Sequence, residues 1–291
     1  GIIDTSDLPL NVSREILQEH HLVDTIKKGV TKKILDSLVA LKKDSFDKYK
    51  NFWKEYGLVL KEGTAEDFEN KELIASLLLF SSTYSEKDSP ENTLDDYIAR
   101  MTEDDNKIYY CVADTYQAAA NSPHIEGLKS KGKEVLLLTD RIDEWLMTGL
   151  IEYKGKELVN AAKEEITEAE QKKVSESDQD LVSKIKKHLD SKVSEVIVSS
   201  RLTDSASCLV VPKNEPGAQL RRILEASGQS MEASNPIFEI NSKHKLLKKL
   251  KDLKGKQFNS FVDFLYDYAV IAEGGSPKDP SKYLRQLDKY L

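Results

Sequence analysis

Between residues 107 and 150, short apolar runs alternate with helical segments, and this alternation constrains the fold more than any other feature. Residues 108–112 and 135–138 are rich in strand-forming side chains, whereas residues 115–120, 122–132 and 141–150 carry helical patterns. Pro123 takes the first helical position of the second of these segments. Strands that alternate with helices usually lie parallel in one sheet. The sequence therefore predicts a small parallel α/β unit over residues 106–155.

A helical segment is predicted before this unit, over residues 12–100. Its clearest part is a long amphipathic helix, and residues 48–56 and 71–80 read as further helices. Residues 83–91 are polar and predict a loop. The stripe of the long helix consists of Val23, Ile26, Val30, Ile34, Leu38 and Leu41.

The charged run 157–180 has no glycine or proline and predicts exposed helix or linker at a domain boundary. We therefore divide the chain into residues 1–168 and 169–291. The second part is predicted to be α+β, with a helix over 181–189, strands near 193–198, 208–211 and 237–240, a helix after Pro216, and two closing helices. The predicted fold class is mixed α+β and α/β.

The first closing helix, from about Gln257 to Glu273, is apolar on so much of its circumference that it must bury two faces. The final helix, after Pro280, carries a second apolar stripe. Two helices from each of two chains predict a dimeric four-helix bundle with twofold symmetry. The predicted dimer interface comprises Phe261, Phe264, Leu265, Tyr268, Ile271, Tyr283, Leu284, Leu287 and Leu291.

Composition excludes several classes of protein. Lys and Arg total 43 against 50 Asp and Glu, a net charge of −7, which argues against a general nucleic-acid binder. No apolar run approaches the roughly 18 residues that span a bilayer, so we expect no membrane association. Cys111 and Cys208 are too few and too far apart for a disulfide framework or zinc site, which favours a reducing cytoplasm. The chain begins at Gly1 rather than Met, so we expect a piece of a longer protein.

Catalytic motifs are absent from the sequence pattern. No glycine-rich phosphate loop follows either predicted parallel strand, so the α/β unit is not expected to bind a nucleotide by itself. There is no nucleophile elbow and no zinc-protease helix motif. The histidines are scattered among polar residues, which predicts solvated surface side chains and no metal site. They are His20, His21, His124, His188 and His244.

Three local features could carry function. Arg14 lies where an extended segment meets a helix and could reach an anion, although a plain surface arginine is the more common case. Glu144 and Trp145 share a short helix, where an indole is more often core than contact surface. The stripe Leu220, Ile223 and Leu224 could dock on its own domain or on a partner, with neither favoured.

Residues 7–15, Asp-Leu-Pro-Leu-Asn-Val-Ser-Arg-Glu, resemble the signature of the heat-shock protein 90 chaperone family. The resemblance continues through Phe-Trp-Lys-Glu-Tyr-Gly at 52–57, Lys-Ile-Tyr-Tyr at 107–110, Ser-Pro at 122–123 and Glu-Val-Leu-Leu-Leu at 134–138. Asp-Arg-Ile-Asp-Glu-Trp at 140–145 resembles the bacterial branch, the high-temperature protein G type. Arg-Leu-Thr-Asp-Ser at 201–205 resembles the carboxy-terminal domain.

The resemblance implies the later part of a middle domain followed by a carboxy-terminal dimerisation domain. In the parent protein, ATP and Mg would be bound by an amino-terminal domain, and no cofactor is expected in this chain. The implied activity is that of an ATP-dependent chaperone, with ATP hydrolysis in the parent and none in this chain alone. The implied partners are a second copy, non-native client proteins and a seventy-kilodalton heat-shock chaperone system.

The resemblance also assigns roles to individual residues. Arg14 would reach the γ-phosphate of ATP, and Gln18 would belong to the same catalytic loop. Glu144 and Trp145 would lie near the cleft between the two domains, where clients bind. Leu220, Ile223 and Leu224 would face clients from an amphipathic helix, although this chain has aliphatic residues where the family is often rich in methionine.

Two other functions remain open on the sequence. A passive dimeric scaffold without client binding would use the same apolar residues as ordinary interface core. A small-molecule enzyme built on the α/β unit is the weaker alternative, because the sequence offers no catalytic constellation for it.

Overall fold

The computed structural model describes residues 21–85, 87–163, 175–211 and 234–290. The described residues form two β-sheets with helices packed around each. Helices and small mixed sheets occur together, which confirms the predicted mixed α+β and α/β class. The boundary predicted near residue 168 lies outside the described residues.

Four helices precede and flank the first sheet: α1 (His21–Asp44), α2 (Phe46–Glu66), α3 (Lys71–Leu77) and α4 (Leu94–Arg100). The long helix predicted at the start of this segment is confirmed as α1. Its predicted apolar stripe is only partly buried. Leu38 is 8% exposed, whereas Val30 and Ile34 are 39% and 53% exposed. Leu35, which the stripe omitted, is buried instead.

The first sheet has the strand order β1-β3-β2-β5-β4. Its strands are β1 (Ser81–Ser82), β2 (Lys107–Val112), β3 (Val135–Leu138), β4 (Glu152–Tyr153) and β5 (Lys156–Asn160). The predicted strands β2 and β3 are confirmed and pair in parallel, with Tyr110 opposite Leu136.

Strand β5 corrects the interpretation of the charged run. Four of its five residues lie in the stretch 157–180 that the sequence pattern assigned to exposed helix or linker. The strand pairs in parallel with β2, with Ile108 opposite Leu158. Only Leu158 is fully buried on this strand. One buried apolar residue among polar neighbours gives too little periodicity to predict a strand from sequence. The strand forms because its backbone pairs with β2.

Short helices cover this sheet: α5 (Tyr116–Ala120), a 3₁₀ turn at Pro123–Ile125 that leads into α6 (Glu126–Ser130), and α7 (Asp143–Gly149). All lie within predicted helical segments. Thr115 caps α5, since its side chain accepts a hydrogen bond from the amide of Ala118. Pro123 occupies the first position of the 3₁₀ turn, as expected.

The second sheet has the order β6-β8-β7, built from β6 (Glu195–Val198), β7 (Ser207–Val210) and β8 (Ile237–Ile240). Strands β6 and β8 are parallel, and β7 is antiparallel to β8. Its helices are α8 (Glu176–His188), α9 (Lys245–Lys251), α10 (Gly255–Ala272) and α11 (Pro280–Tyr290). The strands and helices α8, α10 and α11 were predicted. Helix α9, with lysine at four of seven positions, was missed.

Separate apolar clusters accompany the two sheets. The largest cluster around the first sheet joins α1 to α4 with β2, β3 and α7, and includes Tyr49, Phe80 and Leu136. The cluster of the second sheet joins α8 to α11 with the strands, and includes Phe238 and Phe261. Hydrogen bonds and ion pairs join the two parts of the molecule, and they define the region described next.

Candidate functional site

The segment 140–145, which the sequence analysis singled out, is held by a buried lysine from α2. The ammonium of Lys61 lies 2.6 Å from a carboxylate oxygen of Asp140 and 2.6 Å from one of Asp143. The side chain of Lys61 is 5% exposed and that of Asp143 is fully buried. The amide of Asp140 donates to the other oxygen of Asp143, at 2.9 Å. This network fixes the start of α7 against α2.

Burial and charge act in opposite directions on Asp143. Burial raises the pKa of this carboxyl because it disfavours the charged form, while Lys61 and the amide of Asp140 lower it. The ammonium also lies 5.9 Å from the ring of Trp53 and 5.8 Å from that of Phe80. Aromatic faces therefore stabilise the cation that compensates Asp143.

A close approach between side chain and backbone shapes the neighbouring part of α2. Trp53 is buried, and a Cβ atom at Gly57 would lie 2.8 Å from its indole ring. Such a distance is too short for any residue but glycine. The Phe-Trp-Lys-Glu-Tyr-Gly element therefore has a structural reason here, since glycine lets the indole lie flat on its own helix beneath Lys61.

Trp145 lies on the outer face of α7, whose first turn is held by the Lys61 network. Leu146 and Met147 turn into the core at 0% and 6% exposure, whereas Trp145 is 40% exposed. On residue type alone the indole was expected in the core. Its role as a client contact, which the resemblance implies, stays a prediction.

Glu144, the neighbour of Trp145, lines a cleft between the two sheets. One wall comes from the ends of β2 and β5, and the other from β7 and the end of α10. The cavity volume is about 80 Å³. Its wall residues include Cys111, Val112, Ala113, Asp114, Ala118, Ser122, His124, Glu144, Asn160, Ala162, Lys163, Leu209, Val211, Ala272, Glu273 and Gly274.

Glu126 joins the two parts of the molecule at one side of this cleft. Its carboxylate accepts hydrogen bonds from the amides of Thr203, Asp204 and Ser205, at 2.7, 2.9 and 3.1 Å. The hydroxyl of Ser205 also donates to it. Three consecutive amides that point at one carboxylate form an anion-binding turn. Residues 201–205, which resemble the carboxy-terminal domain, therefore dock on α6 of the first part.

Arg201 makes a second connection at the same seam. Its guanidinium donates to the carbonyl of Ala161 at 2.8 Å and lies 3.1 Å from the buried carboxylate of Glu239 on β8. A Cβ atom at Gly127 would lie 2.9 Å from the Cα atom of Arg201. Glycine at position 127 therefore allows the two backbones to touch.

His124 corrects the prediction that the histidines are solvated surface residues. It is 3% exposed, and its Nε2 lies 2.8 Å from Oε1 of Glu273, which follows α10. This contact joins the 3₁₀ turn of the first part to the end of α10 in the second. The sequence signal was its position between Pro123 and Ile125, both of which are also buried.

The cysteines of the two parts lie at this seam as well. Cys111 on β2 and Cys208 on β7 are both buried and free. Burial raises the pKa of the Cys111 thiol to about 12, and the carboxylate of Glu273 acts in the same direction. The pKa of Cys208 is also raised, first by burial and then by Glu239. Both cysteines are therefore neutral thiols at physiological pH.

The closing helices divide the predicted dimer residues into two groups. Phe261, Phe264 and Leu265 are at most 1% exposed and pack within the chain. Ile271 and Leu284 are 41% and 58% exposed. Tyr268, Tyr283 and Leu287 are partly buried.

The inward group forms a layer between α10 and α11. The ring of Phe264 stacks on that of Tyr283 at 5.4 Å, and the ring of Phe261 lies 4.5 Å from that of Tyr290. Gln286 adds a polar contact by donating to the carbonyl of Ser260 at 2.9 Å. One face of α10 is thus covered within the chain. The surface available to a partner is the margin of this layer, where Ile271 and Leu284 are exposed.

The remaining candidate residues cannot be placed in this geometry. The predicted catalytic and client-binding residues Arg14, Gln18, Leu220, Ile223 and Leu224, with Leu291 of the predicted interface, lie outside the described residues. Within the described ranges, no helix is long and apolar enough to cross a membrane. The same ranges contain no group of three or more His, Cys, Asp or Glu arranged to hold a metal ion.

Comparison with known proteins agrees with the resemblance seen in the sequence. A family model described as Hsp90 protein matches residues 1–291. Chaperone protein HtpG of Shewanella sp. (strain MR-7) is 45% identical over 301 residues, which cover 100% of this chain and 47% of that protein. Chaperone protein HtpG of Legionella pneumophila (strain Lens) is 43% identical over 298 residues, with 100% and 48% covered. The chain thus spans about half the length of the curated relatives it matches.

Proposed function

The chain belongs to the Hsp90 family, and we propose that it is the part of an ATP-dependent molecular chaperone that dimerises and binds non-native client proteins. The observation that carries client binding is the exposure of Trp145 on a helix anchored beside a cleft. A tryptophan offers a large apolar contact with few rotatable bonds, so it binds other chains at a low cost in entropy. The buried Lys61 network keeps it in place without covering it.

Client binding is tested by replacing Trp145 with arginine. We expect Trp145→Arg to weaken binding of an unfolded probe, reduced carboxymethylated α-lactalbumin, by on the order of tenfold, because central tryptophans dominate such contacts. Fluorescence anisotropy of the labelled probe with the 291-residue chain measures the affinity. Phe68→Arg is the matched control, since Phe68 is 80% exposed at a different position.

Two results would contradict this assignment. If Trp145→Arg binds the probe as tightly as the unmodified chain does, Trp145 is not a client contact. If the unmodified chain does not bind the probe at all, the chain acts as a passive dimeric scaffold instead.

The proposal includes coupling to ATP through Arg14 and Gln18. In the family, ATP with Mg is bound by an amino-terminal domain, and the matching arginine reaches the γ-phosphate. A guanidinium at this position would stabilise the charge that develops during phosphoryl transfer. Both residues lie outside the described ranges, so this part rests on the residues 7–15 that resemble the family signature.

The coupling is tested in the full-length protein. Arg14→Ala is expected to lower the rate of ATP hydrolysis by on the order of tenfold or more while ATP affinity changes little, because the arginine acts on transition-state charge. Steady-state turnover and nucleotide binding are measured side by side. Arg14→Lys, which keeps the charge but loses the planar fork, should recover only part of the rate. An unchanged rate in Arg14→Ala would contradict the role.

The proposed partners are a second copy of the chain, client proteins and a seventy-kilodalton heat-shock chaperone system. Support for the second copy comes from Ile271 and Leu284, which remain exposed at the margin of the closing helices. Two buried free thiols suit the reducing conditions of the cytoplasm. We therefore propose a cytoplasmic homodimer.

A further inference from the structure

A groove lies between α8 and the junction of α9 with α10, on the helices that pack around the second sheet. Its volume is about 640 Å³, within the roughly 300–1,000 Å³ that ligand sites usually have. Leu181, Lys184 and His188 line it from α8, and their spacing of three and four positions places them on one face of that helix. The opposite wall lies within residues 251–259. The groove is therefore formed by elements that are distant in the sequence.

Polar contacts join the two walls near both ends of the groove. Nζ of Lys251 on α9 lies 2.7 Å from Oδ1 of Asp178 on α8. Nε2 of His188 lies 3.2 Å from Oδ1 of Asp263 on α10. Asp178 and His188 are separated by about 15 Å along the helix. Because this stretch of α8 is held at both ends, the groove is formed before a ligand binds, which lowers the entropy cost of binding.

The charge around the groove is positive, although the whole chain carries a net charge of −7. The carboxylate of Asp180 lines it together with the ammonium groups of Lys184, Lys187, Lys251 and Lys254. Asp180 is paired with Lys184, at 2.5 Å. Lys187 and Lys254 are exposed, and neither forms an ion pair within the part of the chain that the structure describes. The groove therefore keeps one uncompensated cation on each wall.

The floor between these lysines is apolar. Leu181 and Phe258 belong to the core of the second sheet, and Leu253 is a partly buried residue that packs against that core. Covering apolar surface of this kind is favourable for a ligand that brings aliphatic groups of its own. A nucleic acid or a polyphosphate would satisfy the lysines, but it has no aliphatic side chains for the floor. The groove therefore favours a ligand that combines carboxylates with aliphatic side chains.

We propose that this groove binds an acidic, amphipathic segment of a partner protein. Its carboxylates lie beside Lys187 and Lys254, and its aliphatic side chains cover the floor. A polypeptide has the required chemistry, because charge complementarity calls for several carboxylates and an amphipathic segment presents aliphatic side chains next to them. The groove is separate from Trp145, which lies on α7 of the first part. The inference therefore goes beyond the proposed client binding and does not depend on it.

Three fluorescein-labelled peptides test the proposal. The first repeats Glu-Leu-Leu-Glu in a glycine–serine frame, the second has glutamine in place of glutamate, and the third has alanine in place of leucine. Anisotropy titrations with the 291-residue chain measure the three affinities. We expect the glutamine peptide to bind on the order of tenfold more weakly than the first, because several ion pairs are lost together. The alanine peptide should lose a similar factor, because it leaves the apolar floor uncovered.

Charge reversal locates the binding in the groove. Lys187→Glu with Lys254→Glu should weaken binding of the first peptide by on the order of tenfold or more, because it places a carboxylate on each wall. Lys48→Glu with Lys54→Glu is the matched control: it makes the same change of net charge at two exposed lysines of α2 and should leave the affinity nearly unchanged. The comparison of the three peptides on the unmodified chain remains decisive even where a variant fails to fold.

Several results would overturn the inference. Equal affinity for the glutamate and glutamine peptides would remove the role of charge, and equal affinity for the leucine and alanine peptides would remove the role of the floor. Equal weakening by the two double variants would show only a general effect of net charge. If Trp145→Arg abolishes binding of the first peptide, that peptide occupies the client surface rather than the groove. A chain that binds the unfolded probe but none of the peptides would overturn the inference and leave the proposed client binding intact.

Discussion

Helix α7 and the closing helices both present apolar side chains at the surface, but they do so by different physical means. Helix α7 has only seven residues, and a buried polar network with Lys61 and Asp143 holds its first turn. The closing helices α10 and α11 are held by a layer of aromatic rings around Phe264. Trp145 is therefore exposed on a helix anchored by other residues, whereas Ile271 and Leu284 are the uncovered margin of an apolar layer.

The aromatic layer and the buried ion pair differ in how much stability they contribute and in how strictly they fix a position. An apolar layer gains stability from each ring it buries. A buried ion pair loses most of its Coulomb attraction to the cost of removing both charges from water. The geometry of a buried ion pair is strict, because moving one charged group away leaves the other buried without a counter-charge. We infer that the ion pair fixes the position of α7, while the ring layer supplies stability to the second sheet.

The largest effect is expected from the ring layer. Phe264→Ala should lower the free energy of unfolding by about 4 kcal/mol, because the ring is 1% exposed and its removal leaves a cavity. Leu284→Ala should change it by less than about 0.5 kcal/mol, since Leu284 is 58% exposed. Urea unfolding of the 291-residue chain, with every variant at the same protein concentration, measures the two free energies of unfolding. Similar small losses in the two variants would contradict the assignment of the layer as core.

A somewhat smaller loss is expected at α7. Lys61→Met should lower the free energy of unfolding by about 3 kcal/mol, because it leaves the carboxylate of Asp143 buried without its cation. The double variant Lys61→Met with Asp143→Leu should recover part of that loss, since it removes both charges. If Lys61→Met alone is as stable as the unmodified chain in the same urea titration, the ion pair of Lys61 with Asp143 does not hold α7.

The smallest effect on the fold is expected at the margin of the closing helices. Ile271→Ser with Leu284→Ser should alter the stability of one chain by less than about 1 kcal/mol, because both side chains are already exposed. The same variant should prevent dimerisation. Light scattering over a dilution series should give a mass near twice 32.9 kDa for the unmodified chain and 32.9 kDa for the variant. An unmodified chain that is monomeric at every concentration would contradict the dimer.

Much of the fold could be predicted because its signal is local. Residues 135–138 are four consecutive apolar positions that read as a buried strand, and β3 is buried at all four. The helical turn at Pro123 was predicted from the proline itself, and helix α5 was predicted from residues 115–120. Strand β5 and helix α9 were missed because one is mostly polar and the other is short and rich in lysine.

The candidate site was predicted only in part. Glu144 and Trp145 were identified from the sequence, whereas Lys61, Glu126 and Glu273 were not. Lys61 is separated from Asp143 by 82 positions and Glu126 from Ser205 by 79. No pattern of short period connects residues at such separations.

The sequence by itself determined the family, the mixed class and the positions of most helices and strands, because hydrophobic period and capping residues act within a few positions of each other. Only the tertiary structure decided that Trp145 lies outside while Lys61 and His124 lie inside. It also decided that His124 of the first part lies 2.8 Å from Glu273 of the second, in the cleft between the sheets. These properties depend on which distant residues share a desolvated volume, and that is determined only when the two sheets pack together.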